Sequence, residues 1–87
     1  MKKVRTHTFC GIKYDVDFSH CYGACDEPRP TSPSLWVDID GMSESKALEI
    51  LIHEALHACD FNKAEIMVTT TAKDISRFLW RMGYRPK

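Results

Sequence analysis

No stretch of the chain is long and apolar enough to cross a bilayer, which takes about 18 or more residues. The N-terminus, Met1-Lys2-Lys3-Val4-Arg5-Thr6-His7, is basic, but no apolar segment follows it, so it does not read as a secretory signal. The expectation is a cytoplasmic protein with no membrane segment. Neither sign of charge is in excess: twelve Lys and Arg against twelve Asp and Glu leave a formal net charge of zero. A generic nucleic-acid binder would be basic, so that class is disfavoured, and only a local basic stripe stays open. There is no internal repeat and no low-complexity tract. Length is short as well. The 87 residues hold one domain, 1–87, and cannot hold a TIM barrel or a pair of kinase lobes. A chain of this size buries only roughly 60–65% of its unfolded surface, so a bound metal or a partner would help it.

What is present is ordinary for a globular domain: 44% hydrophobic and 28% charged residues, too apolar for a disordered chain. Residues 4–18 alternate, with Val4, Thr6, Thr8 and Cys10 on one side of Gly11 and Ile12, Tyr14, Val16 and Phe18 on the other. That spacing predicts a β-hairpin. Residues 19–33 carry Gly23, Pro28, Pro30 and Pro33 and read as an irregular loop. Ser34 to Asp40 alternates again and reads as a third strand, ended by Gly41. From Ser43 the period changes to 3.6, with Leu48, Leu51, Ile52, Ala55 and Cys59 on one helical face and Ser43 as N-cap. A second helix is expected from Asn62, with Glu65 at the capping-box spacing. Its apolar face is Val68, Ala72, Ile75, Leu79 and Met82, and Gly83 is its terminator. The expected fold is α+β: a small antiparallel sheet of about three strands (1–40: hairpin, loop and edge strand), then two helices (43–83).

The chemistry is concentrated in His53-Glu54-Ala55-Leu56-His57, an HExxH motif inside the first predicted helix. Positions i and i+4 project from one helix face, so two imidazoles can reach one zinc ion. The glutamate beside the first histidine sits at the edge of that face. It can reach a metal-bound water without being a ligand and serve as general base. A catalytic zinc needs a third protein ligand. Asp60, Glu65 and Asp74 are the acidic candidates downstream. Glu65 is preferred, because it begins the next helix close to the motif and leads the apolar stripe, where a carboxylate is costly unless paired. Asp74 falls off the stripe. Asp60, three residues past His57, is a candidate to accept that imidazole's spare N–H.

The run Leu48 to Ala58, with Glu65, Val68 and Ala72 and the ending Leu79-Trp80-Arg81-Met82-Gly83-Tyr84-Arg85, resembles the zincin metallopeptidases. More narrowly it is similar to very small gluzincin-like proteins of phages and bacteria. The resemblance covers the C-terminal half. It implies zinc, a hydrolytic water and a peptide or protein substrate, with Leu35 to Asp40 as an edge strand that binds extended peptide. The metzincin extension is absent, since Lys63 stands where a third histidine would be. His20, Tyr22 and Tyr84 are candidates to stabilise the transition state.

The remaining chemistry-bearing residues carry weaker expectations. His20, Cys21 and Cys25, with Cys10, could hold a second, structural zinc, and Cys25 could cap the first; buried free thiols are the plainer expectation. Cys59 is turned away from His57 and is expected in the core. Lys73, Arg77, Arg81 and Arg85 recur every four residues, as a nucleic-acid stripe or as a solvated face. Trp36 and Trp80 are expected to pack. The expected function is a zinc metallopeptidase with His53, His57 and Glu65 on the metal and Glu54 as base. The alternative is a zinc-stabilised interaction module without catalysis, with nucleic acid as a candidate partner through Lys73, Arg77, Arg81 and Arg85.

Overall fold

The computed structural model describes residues 2–19, 23–29 and 31–86. Strands β1 (Thr6–Phe9), β2 (Ile12–Asp17), β3 (Ala24–Cys25) and β4 (Ser34–Trp36) precede helices α1 (Glu44–Cys59) and α2 (Glu65–Arg81). The α+β arrangement matches the sequence pattern. The sheet is mixed rather than antiparallel and has four strands, in the order β1-β2-β4-β3.

The hairpin forms where the alternation places it. Cys10 and Gly11 both have positive φ, 49° and 82°, as in the type I′ turns whose twist suits a two-residue connection. Tyr14 is fully buried, and its register partner His7 lies across from it on β1. Phe9 packs edge-on against the Tyr14 ring, so β1 turns Phe9 rather than Thr6 or Thr8 toward the core. Burial, with the neighbouring Cys25 thiol adding to it, pushes the Tyr14 pKa up to about 12, and its hydroxyl donates to the Asp26 carbonyl at 3.2 Å.

The segment from Ser34 does not form an edge. β4 pairs in parallel with β2 and antiparallel with β3, and so lies inside the sheet. Its ladder ends at Trp36, yet Leu35, Val37 and Ile39 stay buried on alternate positions. A fully buried valine such as Val37 contributes roughly 1.5–3 kcal/mol. β3, inside the stretch expected to be irregular, is with β1 one of the two edge strands. It is held by Asp26, whose carboxylate accepts from the Ser34 N–H at 2.9 Å and the Arg29 guanidinium at 3.0 Å.

α1 lies on the sheet through Ala47, Ile50, Leu51 and Ala58. Ser43 caps it, the hydroxyl accepting from the Lys46 N–H at 3.3 Å. Cys59 is exposed, not in the core, because the sheet-facing residue at this end of α1 is Ala58. α2 packs back along α1. It begins at Glu65 with Ala64 as N-cap and no side-chain cap, so the expected start at Asn62 is displaced to the end of the turn. It ends in a Schellman motif: Gly83 (φ 95°) donates to the Trp80 carbonyl and Tyr84 to that of Leu79. The residues α2 buries are Val68, Ala72 and Ser76, while Ile75 and Met82 are exposed. Ser76 is small, and its hydroxyl is satisfied by the Lys73 carbonyl of its own helix at 3.0 Å, so it fits the contact that the apolar stripe assigned to Ile75. Among the described residues no helix is long and apolar enough to cross a membrane.

Candidate metal centre

The helical hairpin brings the end of α1 against the start of α2. His53 and His57, one turn apart, present Nε2 atoms 2.9 and 2.8 Å from Oε1 and Oε2 of Glu65. One ligand atom from each of the three residues lies within 4.8 Å of the others. The imidazoles meet edge-on, with ring centroids 4.9 Å apart. Both histidines are half-buried, whereas the Glu65 side chain is 67% exposed. Glu65 therefore does not sit in the core as the stripe suggested. It reaches the histidines because the turn ends beside them and α2 starts there.

Glu54 is the buried member, 5% exposed, on the α1 face that meets the sheet. Its Oε2 is 3.9 Å from His53 Nε2, and its buried Oε1 has no hydrogen-bond partner among the described residues. Burial pushes its carboxyl above the ordinary range, and the neighbouring imidazoles only partly oppose this. Gly23 lies directly against it: a Cβ at position 23 would be 2.5 Å from Glu54 Oε2. Sequence reasoning missed Gly23 as a site residue. The signal available was a lone glycine before a short strand, where backbone comes close to another group.

An open cleft of about 440 Å³ joins these groups, lined by Gly23, Ala24 and Cys25 of the sheet edge and by Phe61 and Lys63 of the interhelical turn. Cys25 faces the cleft, but its thiol donates to the Asp26 carbonyl at 3.4 Å. Burial pushes its pKa up to about 11, and its thiol is not among the donor atoms gathered by His53, His57 and Glu65.

The other expected site residues fall elsewhere. Asp60 is the exposed C-cap of α1, and among the described residues its carboxylate makes no hydrogen bond to His57. Tyr84 follows the far end of α2, which at 1.5 Å per residue is roughly 25 Å from Glu65, beyond reach of the cleft. His20, Tyr22 and Cys21 lie outside the described residues. Lys73, Arg77 and Arg81 are exposed along α2. Arg85 folds back instead, 3.4 Å over the Trp80 ring, and donates to the Trp80 and Tyr84 carbonyls.

Two imidazole nitrogens and a carboxylate suit zinc in type and number. The nitrogen–oxygen separations of 2.8 and 2.9 Å are slightly shorter than the about 3.3 Å between ligands of a tetrahedral zinc, so small side-chain movements suffice. No known protein family, curated protein or solved structure matches the chain.

Proposed function

We propose that the protein is a zinc-dependent metallopeptidase of zincin type, with His53, His57 and Glu65 holding the metal and Glu54 as the general base. The observation that supports this best is a three-donor cluster open to a cleft, with a buried carboxylate beside it whose Oε1 lacks a partner among the described residues. A structural zinc would be closed by a fourth protein ligand, and among the described residues none joins the three. When bound, zinc supplies a Lewis acid that polarises a carbonyl and lowers the pKa of water to about 7.

Glu54 takes the proton of the attacking water and passes it to the leaving amine. Gly23 leaves room for that carboxylate. The outer edge of β3 runs beside the cleft, and an extended peptide can add to it by strand pairing, in the place first expected of Leu35 to Asp40. Lys63 lines the cleft as a cation and suits the charge that develops on the carbonyl oxygen. A cytoplasmic location belongs to the same proposal.

The test is Glu54→Gln. It should keep zinc at about one per chain by elemental mass spectrometry and lose roughly 10²–10⁴-fold in peptide hydrolysis. Full activity in the variant would remove Glu54 from its role. Zinc without hydrolysis in the wild type would instead favour an interaction module stabilised by the metal.

A further inference from the structure

α2 carries a second apolar stripe on the side it does not bury. Ile75, Phe78 and Met82 are 39%, 63% and 64% exposed. At about 100° per residue, Ile75 and Met82 lie roughly 40–60° to one side of Phe78, and Asp74 and Arg81 lie roughly 40–60° to the other. Neither Asp74 nor Arg81 enters an ion pair among the described residues. The face therefore has an aromatic centre, an apolar flank and a flank bearing one charge of each sign.

We infer that this face pairs with the same face of a second copy of the chain, the two α2 helices running antiparallel about a two-fold axis at Phe78. Such an isologous contact places each residue before Phe78 opposite the residue equally far after it, and keeps each flank on its own side. Phe78 then meets Phe78 of the second copy. Asp74 comes level with the second copy's Arg81 to within one residue's rise, about 1.5 Å, on the same flank. Symmetry repeats that pair, giving two complementary ion pairs. On the apolar flank Ile75 meets Met82 in the same way. A parallel two-fold would instead swap the flanks and set Asp74 and Arg81 against the apolar flank of the other copy, leaving each charge without an opposite, so charge selects the antiparallel pairing. A lipid surface offers nothing to Asp74. The contact is centred roughly 20 Å along α2 from Glu65, so both metal clefts stay open and the inference does not depend on the metal reading.

The experiment is sedimentation equilibrium on the full chain. The wild type should associate to a dimer. Asp74→Arg alone and Arg81→Asp alone should each weaken dimerisation roughly tenfold or more, because each repeats a like-charge contact twice. Mixed together, the two variants should recover a heterodimer, since every charge then meets its opposite. Phe78→Ser should be monomeric with its circular dichroism spectrum unchanged, because that side chain contributes little to the monomer's own core. A wild type that stays monomeric at the highest soluble concentration would overturn the inference and leave the face to a different partner. So would a mixture that fails to recover the dimer.

Discussion

The two helices break the burial rule in opposite directions. α1 takes a carboxylate, Glu54, into the interior and leaves its Oε1 without a partner among the described residues. α2 keeps only Val68, Ala72 and Ser76 inside and turns Ile66, Met67, Phe78 and Met82 to solvent. A buried unpaired carboxylate costs stability, and exposed large apolar side chains waste it. In a domain this small, neither departure is explained by the fold alone. The α1 anomaly lies beside a donor cluster, so it fits a role in chemistry. Ile66 and Met67 stand beside that cluster, but Phe78 and Met82 lie roughly 20 Å or more along α2 from Glu65, so that end of the anomaly fits a contact with another molecule.

The strongest way to break the comparison is to remove the metal end. His57→Ala takes away one of two imidazoles and leaves Glu65 with a single partner. Elemental mass spectrometry should show zinc at about one per chain in the wild type and its loss in the variant, with all hydrolysis lost. Chelation of the wild type should lower its melting temperature, because metal that binds only the folded chain stabilises it by mass action. Zinc retained in the variant would direct attention to the cysteines of the loop.

Gly23→Ala tests whether the sheet edge positions Glu54. The added Cβ would overlap Oε2, and the buried carboxylate has little room to retreat. Zinc content should hold while hydrolysis falls, by less than in Glu54→Gln. Equal loss of zinc and hydrolysis would mean that the substitution disturbs the whole site.

The α1 anomaly should also be visible in stability, with a pH signature. Burial raises the Glu54 pKa in the folded chain, so the folded state holds that proton more tightly than the unfolded one. Metal-free protein should therefore lose stability as pH rises from about 4.5, the ordinary glutamate value, to the raised value, and no more above it. Glu54→Gln should melt higher than the metal-free wild type at neutral pH, and the gap should close below about 4.5. A gap that does not change with pH would show that Glu54 gives up no ionisation on folding.

Much of this was legible in the sequence because it is local. Gly11 marks the hairpin, Ser43 and Gly83 bound the helices, and four-residue spacing alone puts His53 and His57 on one face. The parallel pairing of β2 with β4 was not legible, because it depends on chain folding between Phe18 and Ser34, and the β3 segment is too short for a period of two to show. The contact of Gly23 with Glu54 joins residues thirty-one apart, and nothing local announces it. Ser76 hid the true inner face of α2, because hydrophobic periodicity does not register a buried serine whose hydroxyl is satisfied within its own helix. The choice of Glu65 over Asp60 and Asp74 rests first on helical phase, at the head of a core-facing stripe, and second on its place at the start of α2 beside the motif, and only the second is kept by the structure. The leading argument from burial does not hold, since the Glu65 side chain is mostly exposed.

The smallest effects concern how the two helices begin. α1 starts on Ser43, whose hydroxyl accepts a backbone N–H, and α2 starts on Ala64, which offers none. Ser43→Ala should cost about 1 kcal/mol, or about 4–8 °C in melting temperature for a domain of this size. Ala64→Ser tests the converse. Position 64 already has the extended backbone of an N-cap, with φ −58° and ψ 139°, so a serine there can accept without strain. If metal-free α2 begins as a frayed end, the serine should raise the melting temperature by a similar amount and leave zinc stoichiometry unchanged. If the gain appears in metal-free protein and shrinks once zinc is loaded, the ligand Glu65 is itself holding the first turn. The missing cap is then compensated by the metal, which ties the weak start of α2 to the site on α1.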